Sequence, residues 1–374
     1  MDRSFTSSRL SRRALLAGFA AAVAAPSAAR AGKDLLDTPA FKSDRAARAL
    51  LLGVTLAGTR VVAVGERGII VTSDDQGSTW RQAAVPVSVT LTAVHFPTAK
   101  TGWAVGHDGV VLHSADGGAS WTRQFDGNQA NTLMLADAKQ RVDALRADPN
   151  ADKAALEAAE MAAEDAVAGA EFGPSRPLLG VWFRDEATGF AVGSYGQIFR
   201  TRDGGRNWQS LGRATDNLDG LHFNAIAPAP SGALLIAGEG GRVYRSTDGG
   251  EHWETHDLGT QAQIYGVRAL PGDGGAEALL AFGFGGKVFR CEDGQNWQAL
   301  PPPTPRSLVG SAMLGTALLL VDQAGAGFVS DDGGRTFRAH GRPAAMAVTG
   351  VAGLSDGKWI LVGMGGARVA ATAA

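Results

Sequence analysis

One eight-residue phrase recurs along this chain and limits what it can fold into. It reads SDDQGSTW from Ser73, SADGGASW from Ser114, TRDGGRNW from Thr201 and STDGGEHW from Ser246. Looser copies follow, CEDGQNW from Cys291 and SDDGGRTF from Ser330, the last with Phe337 in the tryptophan position. A glycine phrase precedes each copy, from VGERGIIV and VGHDGVVL to VDQAGAGF, and a seventh, VGMGGARV, starts at Val362. Self-similarity at a period of about 40 residues marks a repeat architecture in which each unit buries its apolar surface against its neighbours.

Within a unit, short apolar runs alternate with Gly/Asp turns; the second unit reads LTAVHF, GWAVG, VVLHS and WTRQ. Four short antiparallel strands per unit, repeated around an axis, predict an all-β fold, a seven-bladed β-propeller over residues 32–374. Glycine at 51 of 374 residues serves the many turns such a fold needs. The seventh unit runs out after about three strands, and the segment Leu35–Ala47 is expected to supply its outermost strand and close the ring. A net charge of −2 gives no global field for nucleic acid. The single cysteine, Cys291, leaves no internal disulfide to form.

Residues 1–31 are read as an export signal rather than as fold. A basic stretch with Arg12-Arg13 precedes an Ala-rich apolar run, and Ala29-Arg30-Ala31 fits a small-residue cleavage site. The paired arginines resemble a twin-arginine signal, so the mature chain is expected in the periplasm. The apolar run is too short to span a bilayer.

Between Gly127 and Phe172 the pattern turns helical. The stretch is rich in Ala, Leu, Glu and Lys, with Leu135, Ala138, Val142 and Leu145 at helical spacing and Leu156, Ala159, Ala163 and Val167 likewise. It predicts an αα-hairpin over 128–170, inserted after the fourth strand of blade 2, with Asp148-Pro149-Asn150 breaking the run and capping the second helix. Turns after strands two and four share one face of a propeller. The hairpin therefore belongs to the face of the glycine phrases, opposite the aspartate phrases.

The recurring phrase is the Asp-box, or BNR repeat, of sialidases and related propellers. Its aspartates (Asp75, Asp116, Asp203, Asp248, Asp293, Asp332) are read as turn acceptors. Its aromatics (Trp80, Trp121, Trp208, Trp253, Trp297, Phe337) are read as fillers of the seams between blades. The units VHFPTAKTGWAVGHDGVVLHSADGGASW and VWFRDEATGFAVGSYGQIFRTRDGGRNW resemble the photosystem II stability/assembly factor family of cyanobacteria and chloroplasts. The resemblance implies a non-enzymatic seven-bladed propeller that binds reaction-centre subunits through an arginine-rich surface. The hairpin departs from the photosynthetic members and suggests a proteobacterial branch whose client is an efflux-type transporter. Arg200, Arg245 and Arg290 share one register just before the Asp-box in three consecutive units, and Arg184 and Arg268 fall in the same sector; together they are expected to form a basic stripe for acidic groups of a partner.

The opposing reading is a sialidase or glycosidase. Of the three tyrosines, Tyr195, Tyr244 and Tyr265, only Tyr265 falls where it could approach the axis, and the first strands are nearly free of carboxylates. His95, His107 and His113 lack metal-ligand spacing, so no metal and no cofactor is expected.

Overall fold

In each repeat the second strand is apolar through its middle, as in residues 61–64 and in Gly102–Gly106, Leu234–Gly238 and Trp359–Gly363, and it is buried almost throughout. A strand apolar on both faces must be covered on both faces. The computed structural model, which describes residues 34–217, 219–272, 276–340 and 346–370, shows how. Seven antiparallel sheets follow one another at 51–82, 91–125, 178–210, 223–257, 264–300, 308–340 and 348–370. Their first strands touch in succession around a ring, the last against the first. These are seven blades with their first strands innermost. The expected export signal, 1–31, lies outside the described residues.

The core is the set of seams between blades. Trp103 of blade 2 stacks on Phe183 of blade 3, with centroids 3.5 Å apart and planes 2° from parallel. Its indole N–H donates to Gln124 (3.0 Å), whose amide donates to the carbonyl of Gly204 in the next Asp-box (3.1 Å). Each Asp-box aromatic packs back on the preceding blade: Trp121 on Val62 and Ile70, Trp253 on Phe190 and Ile198, Trp80 on Ile360 of blade 7. Every innermost strand also carries a register shift at the same place, between Leu51 and Gly53 in blade 1 and at matching positions in the other six. Such a bulge sharpens the twist and frees one residue from the ladder. In three blades that residue bridges to the next: Thr92 to the carbonyl of Leu178 (2.6 Å), Asn224 to that of Ile264 (2.9 Å) and Thr349 to that of Leu51 (2.7 Å). The last bond joins blade 7 to blade 1 and closes the ring.

The outermost strand expected from Leu35–Ala47 does not form. Among the described residues the seventh sheet has three strands, Val348–Gly353, Trp359–Gly363 and Gly366–Ala370. The N-terminal segment makes short 3-10 turns at Leu35–Asp37 and Ala46–Arg48 and is drawn to blade 1 and the linker that follows it. Leu36 buries itself beside Val85 and Val87, Ala40 N–H donates to Val85 (3.0 Å), and the side chain of Gln82 bonds the backbone of both Phe41 and Ser43. A buried leucine and four backbone-directed hydrogen bonds, counting Ser88 N–H to Leu35 at 2.8 Å, outweigh one short edge ladder.

The Asp-boxes act as knots. In blade 1 the Asp75 carboxylate accepts from the Ser73 hydroxyl (2.8 Å), the Thr79 N–H (2.8 Å) and the Thr79 hydroxyl (2.6 Å). Asp116, Asp203, Asp248 and Asp332 repeat the pattern, with Ser120, Asn207, His252 and Thr336 in the threonine's place. Cys291 replaces the serine in blade 5, its thiol 3.4 Å from Asp293. The Thr79 hydroxyl and N–H, with the Ser73 hydroxyl, hold Asp75 down to about 2. Asp203 is lowered in the same way, and for Asp248 and Asp332 the hydrogen bonds outweigh an opposing effect of burial. Folded-state values below the unfolded ones (about 4) mean that this stabilisation is complete above pH 4 and is lost as pH falls through the folded values. The Asp-boxes' share of the urea midpoint should therefore hold level from pH 7 to about pH 5 and decline from about pH 4 downward. Asp248→Ala should flatten that decline; an unchanged slope would remove the boxes as its source. Burial pushes the Cys291 thiol up, so a thiol-specific reagent should leave the native chain unlabelled and react once it unfolds.

Candidate functional site

The inserted helices stand on the seam between blades 2 and 3. Asp126 starts α1 (Gly127–Ala147) with a capping box, accepting from Asn128 N–H (3.0 Å) and Gln129 N–H (3.4 Å) while its own N–H reaches the Gln129 side chain (3.1 Å). Ala130, Leu133 and Met134 then enter the apolar seam below. Asp137 pairs with Arg213 beyond the last strand of blade 3 (2.5 Å), and Gln140 accepts from the same guanidinium (3.1 Å). The second helix, α2 (Lys153–Glu171), is capped by Asp152 rather than by the Asp148–Asn150 turn, which forms the bend between the helices instead. Val142 and Ala159 are buried in the hairpin, and Arg146 and Glu160 pair across it (2.6 Å).

Under the hairpin lies a cleft of roughly 410 Å³, between the helices and the outer half of blade 3. Met134, Ala138, Met161 and Ala162 give it an apolar roof, and Tyr195 stands on its floor. Tyr195 occupies the middle of the turn between the second and third strands of blade 3 with φ +55°. Glycine fills that position in blades 4, 5 and 7, as Gly240, Gly285 and Gly365, while Arg67 and Asp108 share the left-handed conformation in blades 1 and 2. A bulky residue in the left-handed region costs about 1–2 kcal/mol, a cost glycine avoids. The ring is 57% exposed, edge-on to His222 (5.1 Å) and beneath the Arg176 guanidinium (5.3 Å). Arg176 also donates to the Asp165 carbonyl of α2 (3.2 Å). It passes α2 where Gly169 leaves room, since a Cβ there would meet it at 1.9 Å. One arginine thus ties the hairpin to the tyrosine floor. Arg141, on the wall of the same cleft, makes no ion pair among the described residues.

The two faces of the ring differ in chemistry. Exposed large apolar side chains gather on the hairpin face: Tyr195, Phe284 and Met364 at the tips of strand turns, and Met161, Val167 and Phe172 on the hairpin. The Asp-box face is laced with ion pairs, among them Arg60–Asp74 (2.6 Å), Arg202–Glu251 (2.5 Å), Arg338–Asp331 (2.8 Å) and Lys358–Asp356 (2.6 Å). Clustered exposed apolar groups mark interaction surfaces, whereas paired surface charges are ordinary.

The five sector arginines take varied positions. Arg200 and Arg290 are buried and reach into the Asp-box of the following blade, Arg200 to the Gly249 carbonyl (3.4 Å) and Arg290 to that of Gly333 (3.0 Å). Arg60, outside the expected stripe, does the same to Gly117 (3.2 Å). Arg200 pairs with Glu251 (2.7 Å) and Arg290 with Glu292, which Arg335 also meets (3.1 Å). Arg245 is half-buried against Gly294 of the next box and has no carboxylate partner among the described residues. Arg184 lies just past the first strand of blade 3, exposed and paired with Asp185 (3.2 Å). Arg268 crosses to Ser311 of blade 6, donating to its hydroxyl at 3.0 Å and its carbonyl at 3.3 Å. Arg200 and Arg290 of the shared register are thus tethers between blades, whereas Arg245 only packs on the next one.

The histidines and tyrosines weighed for metal or hydrolytic chemistry are dispersed. His95 accepts from the Phe183 N–H (3.2 Å) and burial lowers it to about 4; His113 packs on Trp103 (5.0 Å). Tyr244 is buried against Phe223 and raised to about 12 by that burial. Tyr265 sits at the bulge of its innermost strand. Among the described residues no cluster of His, Cys, Asp and Glu could hold a metal ion, and no helix is long and apolar enough to cross a membrane.

Seven sheets closed into a ring, Asp-box knots on one face and an arm over the other define an Asp-box β-propeller. A family model described as photosynthesis system II assembly factor YCF48 matches residues 47–137 and 169–307, more than half of the chain, and the chain belongs to that family. The two stretches flank residues 138–168, so most of the hairpin lies outside the family pattern. Among solved structures, "YCF48 bound to D1 peptide" is similar at 19% identity and TM-score 0.60, over 90% of this chain and 100% of that one. YCF48 from Cyanidioschyzon merolae is similar at 17% and 0.59, over 87% and 95%. A streptogramin B lyase is similar at 13% and 0.60, also over 87% and 95%. These likenesses show the fold. No curated protein sequence matches the chain.

The tethers make a specific prediction. Glu251→Ala should lower the melting temperature, because it strands the buried Arg200 charge, and Arg200→Met added to it should recover part of the loss. A double variant as unstable as the sum of both single variants would show that the pair does not couple.

Proposed function

We propose that this chain is a non-catalytic, exported docking factor that holds a segment of a membrane-protein subunit on its hairpin face. The observation that carries the reading is Tyr195, a strained and exposed aromatic kept in the left-handed region on the floor of the cleft and tied to the hairpin through Arg176. An apolar roof, an aromatic floor and the free guanidinium of Arg141 suit an extended segment with an apolar anchor and an adjoining carboxylate. Family membership supports an assembly role, and the similar protein solved with a D1 peptide supports a subunit segment as client. The N-terminal pattern of residues 1–31 supports export, by the twin-arginine route, to the periplasm.

A second client class follows from one observation. The hairpin is the part of the cleft that the family pattern does not cover, so client choice is free to differ there. An efflux-type transporter subunit is the alternative to a photosystem II-type reaction-centre subunit. Against a hydrolase, the tyrosines stand on separate strands and turns, and the likeness to a lyase at 13% identity concerns the fold.

Capture from host membranes, with bound subunits identified by mass spectrometry, tests the reading. Tyr195→Gly should leave stability within about 1 kcal/mol of the parent, because relief of the left-handed strain offsets the glycine's entropy. It should nevertheless lose at least tenfold of the captured client, as should Met161→Glu. Unchanged capture by both variants, or turnover of fluorogenic glycosides that depends on Tyr265, would sink the proposal.

A further inference from the structure

The third strand of blade 7, Gly366–Ala370, is an open sheet edge among the described residues, whereas the third strand of every other blade is covered by a fourth. Its turn is the two-residue Met364-Gly365, with Gly363 opposite Gly366. In such a hairpin the closing pair is hydrogen-bonded and the pattern alternates from there. Gly366, Arg368 and Ala370 therefore bond inward to Trp359–Gly363, and the N–H and C=O groups of Ala367 and Val369 point outward. The N-terminal segment packs its Ala46–Arg48 turn beside this strand, with Ala46 and Ala367 in one apolar cluster, but makes no backbone hydrogen bond to the edge among the described residues. Ala47 and Arg48 cross only its beginning, where a Cβ on Gly366 would lie 1.9 Å from the Ala47 carbonyl, and the residues before them run along blade 1.

Charge indicates what the edge would take. Arg368 lies on the open strand and is exposed, and the backbone of Arg48 lies against the strand's first residue. Neither guanidinium has a hydrogen bond or ion pair among the described residues. A second copy is a poor occupant, because two-fold pairing of so short a strand sets Arg368 opposite or diagonal to its own counterpart. We infer that the open edge of blade 7 binds an extended acidic segment of a partner protein as a fourth strand, with a Glu or Asp of the partner facing Arg368. Backbone pairing to Ala367 and Val369 supplies affinity and the arginines supply selection. The inference needs nothing of the hairpin cleft.

The probes are fluorescent seven-residue peptides of alternating valine and glutamate, or alternating valine and lysine, titrated into the full chain by anisotropy. The glutamate peptide should bind at least tenfold more tightly than the lysine peptide, and Arg368→Glu should invert that order. Val369→Pro removes an outward N–H and spares the inward ladder, so it should weaken the glutamate peptide at least tenfold. If that variant melts early, a glutamate peptide methylated on its backbone nitrogens replaces it and should fail to bind the parent chain. Equal binding of both peptides, no binding of either, or full binding of the methylated peptide would overturn the inference. So would slow hydrogen exchange at Ala367 and Val369 in the free chain, which would show the edge already paired.

Discussion

The fold depends on the seam between neighbouring blades. A four-stranded sheet such as 91–125, with its second strand buried throughout, has two apolar faces and cannot cover either alone. Each seam solves this for half of two blades, so the arrangement is stable only when the series closes. Closure is made by Thr349 reaching Leu51 and by Trp80 and Ile360 sharing one apolar cluster. The Asp-boxes serve the same end. Their carboxylates tie the turn that delivers Trp80, Trp121 or Trp253 to the seam, and Arg60, Arg200 and Arg290 tie each blade to the box of the next.

This division of labour leaves one face for recognition. On the Asp-box face, charges are neutralised within the ring by Glu251, Glu292 and Asp74. The opposite face carries shorter turns with fewer obligations to the seams, so Phe284 and Met364 can stand exposed and Tyr195 can accept a left-handed conformation that glycine holds in blades 4, 5 and 7 and that Arg67 and Asp108 share in blades 1 and 2. A long insertion is tolerated there because Gly127 and Pro174 bring its two ends together, so closely that a Cβ on Gly127 would stand 2.7 Å from the Pro174 Cα. Strain at Tyr195 is affordable because the flanking strands are fixed on both sides by packed neighbours.

Much of this was readable in the chain itself. The repeat period, the alternation of buried strands and glycine turns, and the change to helical spacing after Gly127 each report a local preference, and the blades and hairpin formed where those preferences placed them. The arginine register was equally visible, but its direction was not. Whether Arg200 points at a partner or into the next Asp-box depends on how far apart two blades sit. The partner acid proved to be Glu251, which is 51 residues away. The N-terminal segment misled for a related reason. Its pairing was inferred from a strand that blade 7 lacked, whereas its position was set by a leucine pocket in blade 1 that exists only once the ring has formed.

The sequence by itself determined the number of blades, the face each turn occupies and the site of the helical arm, because turn chemistry and hydrophobic period act over a few residues and repeat. Only the tertiary structure decided which arginines are tethers, which aromatic faces the cleft and which edge stays open. Those outcomes depend on competition between surfaces far apart in the chain, and burial rather than residue type settles them.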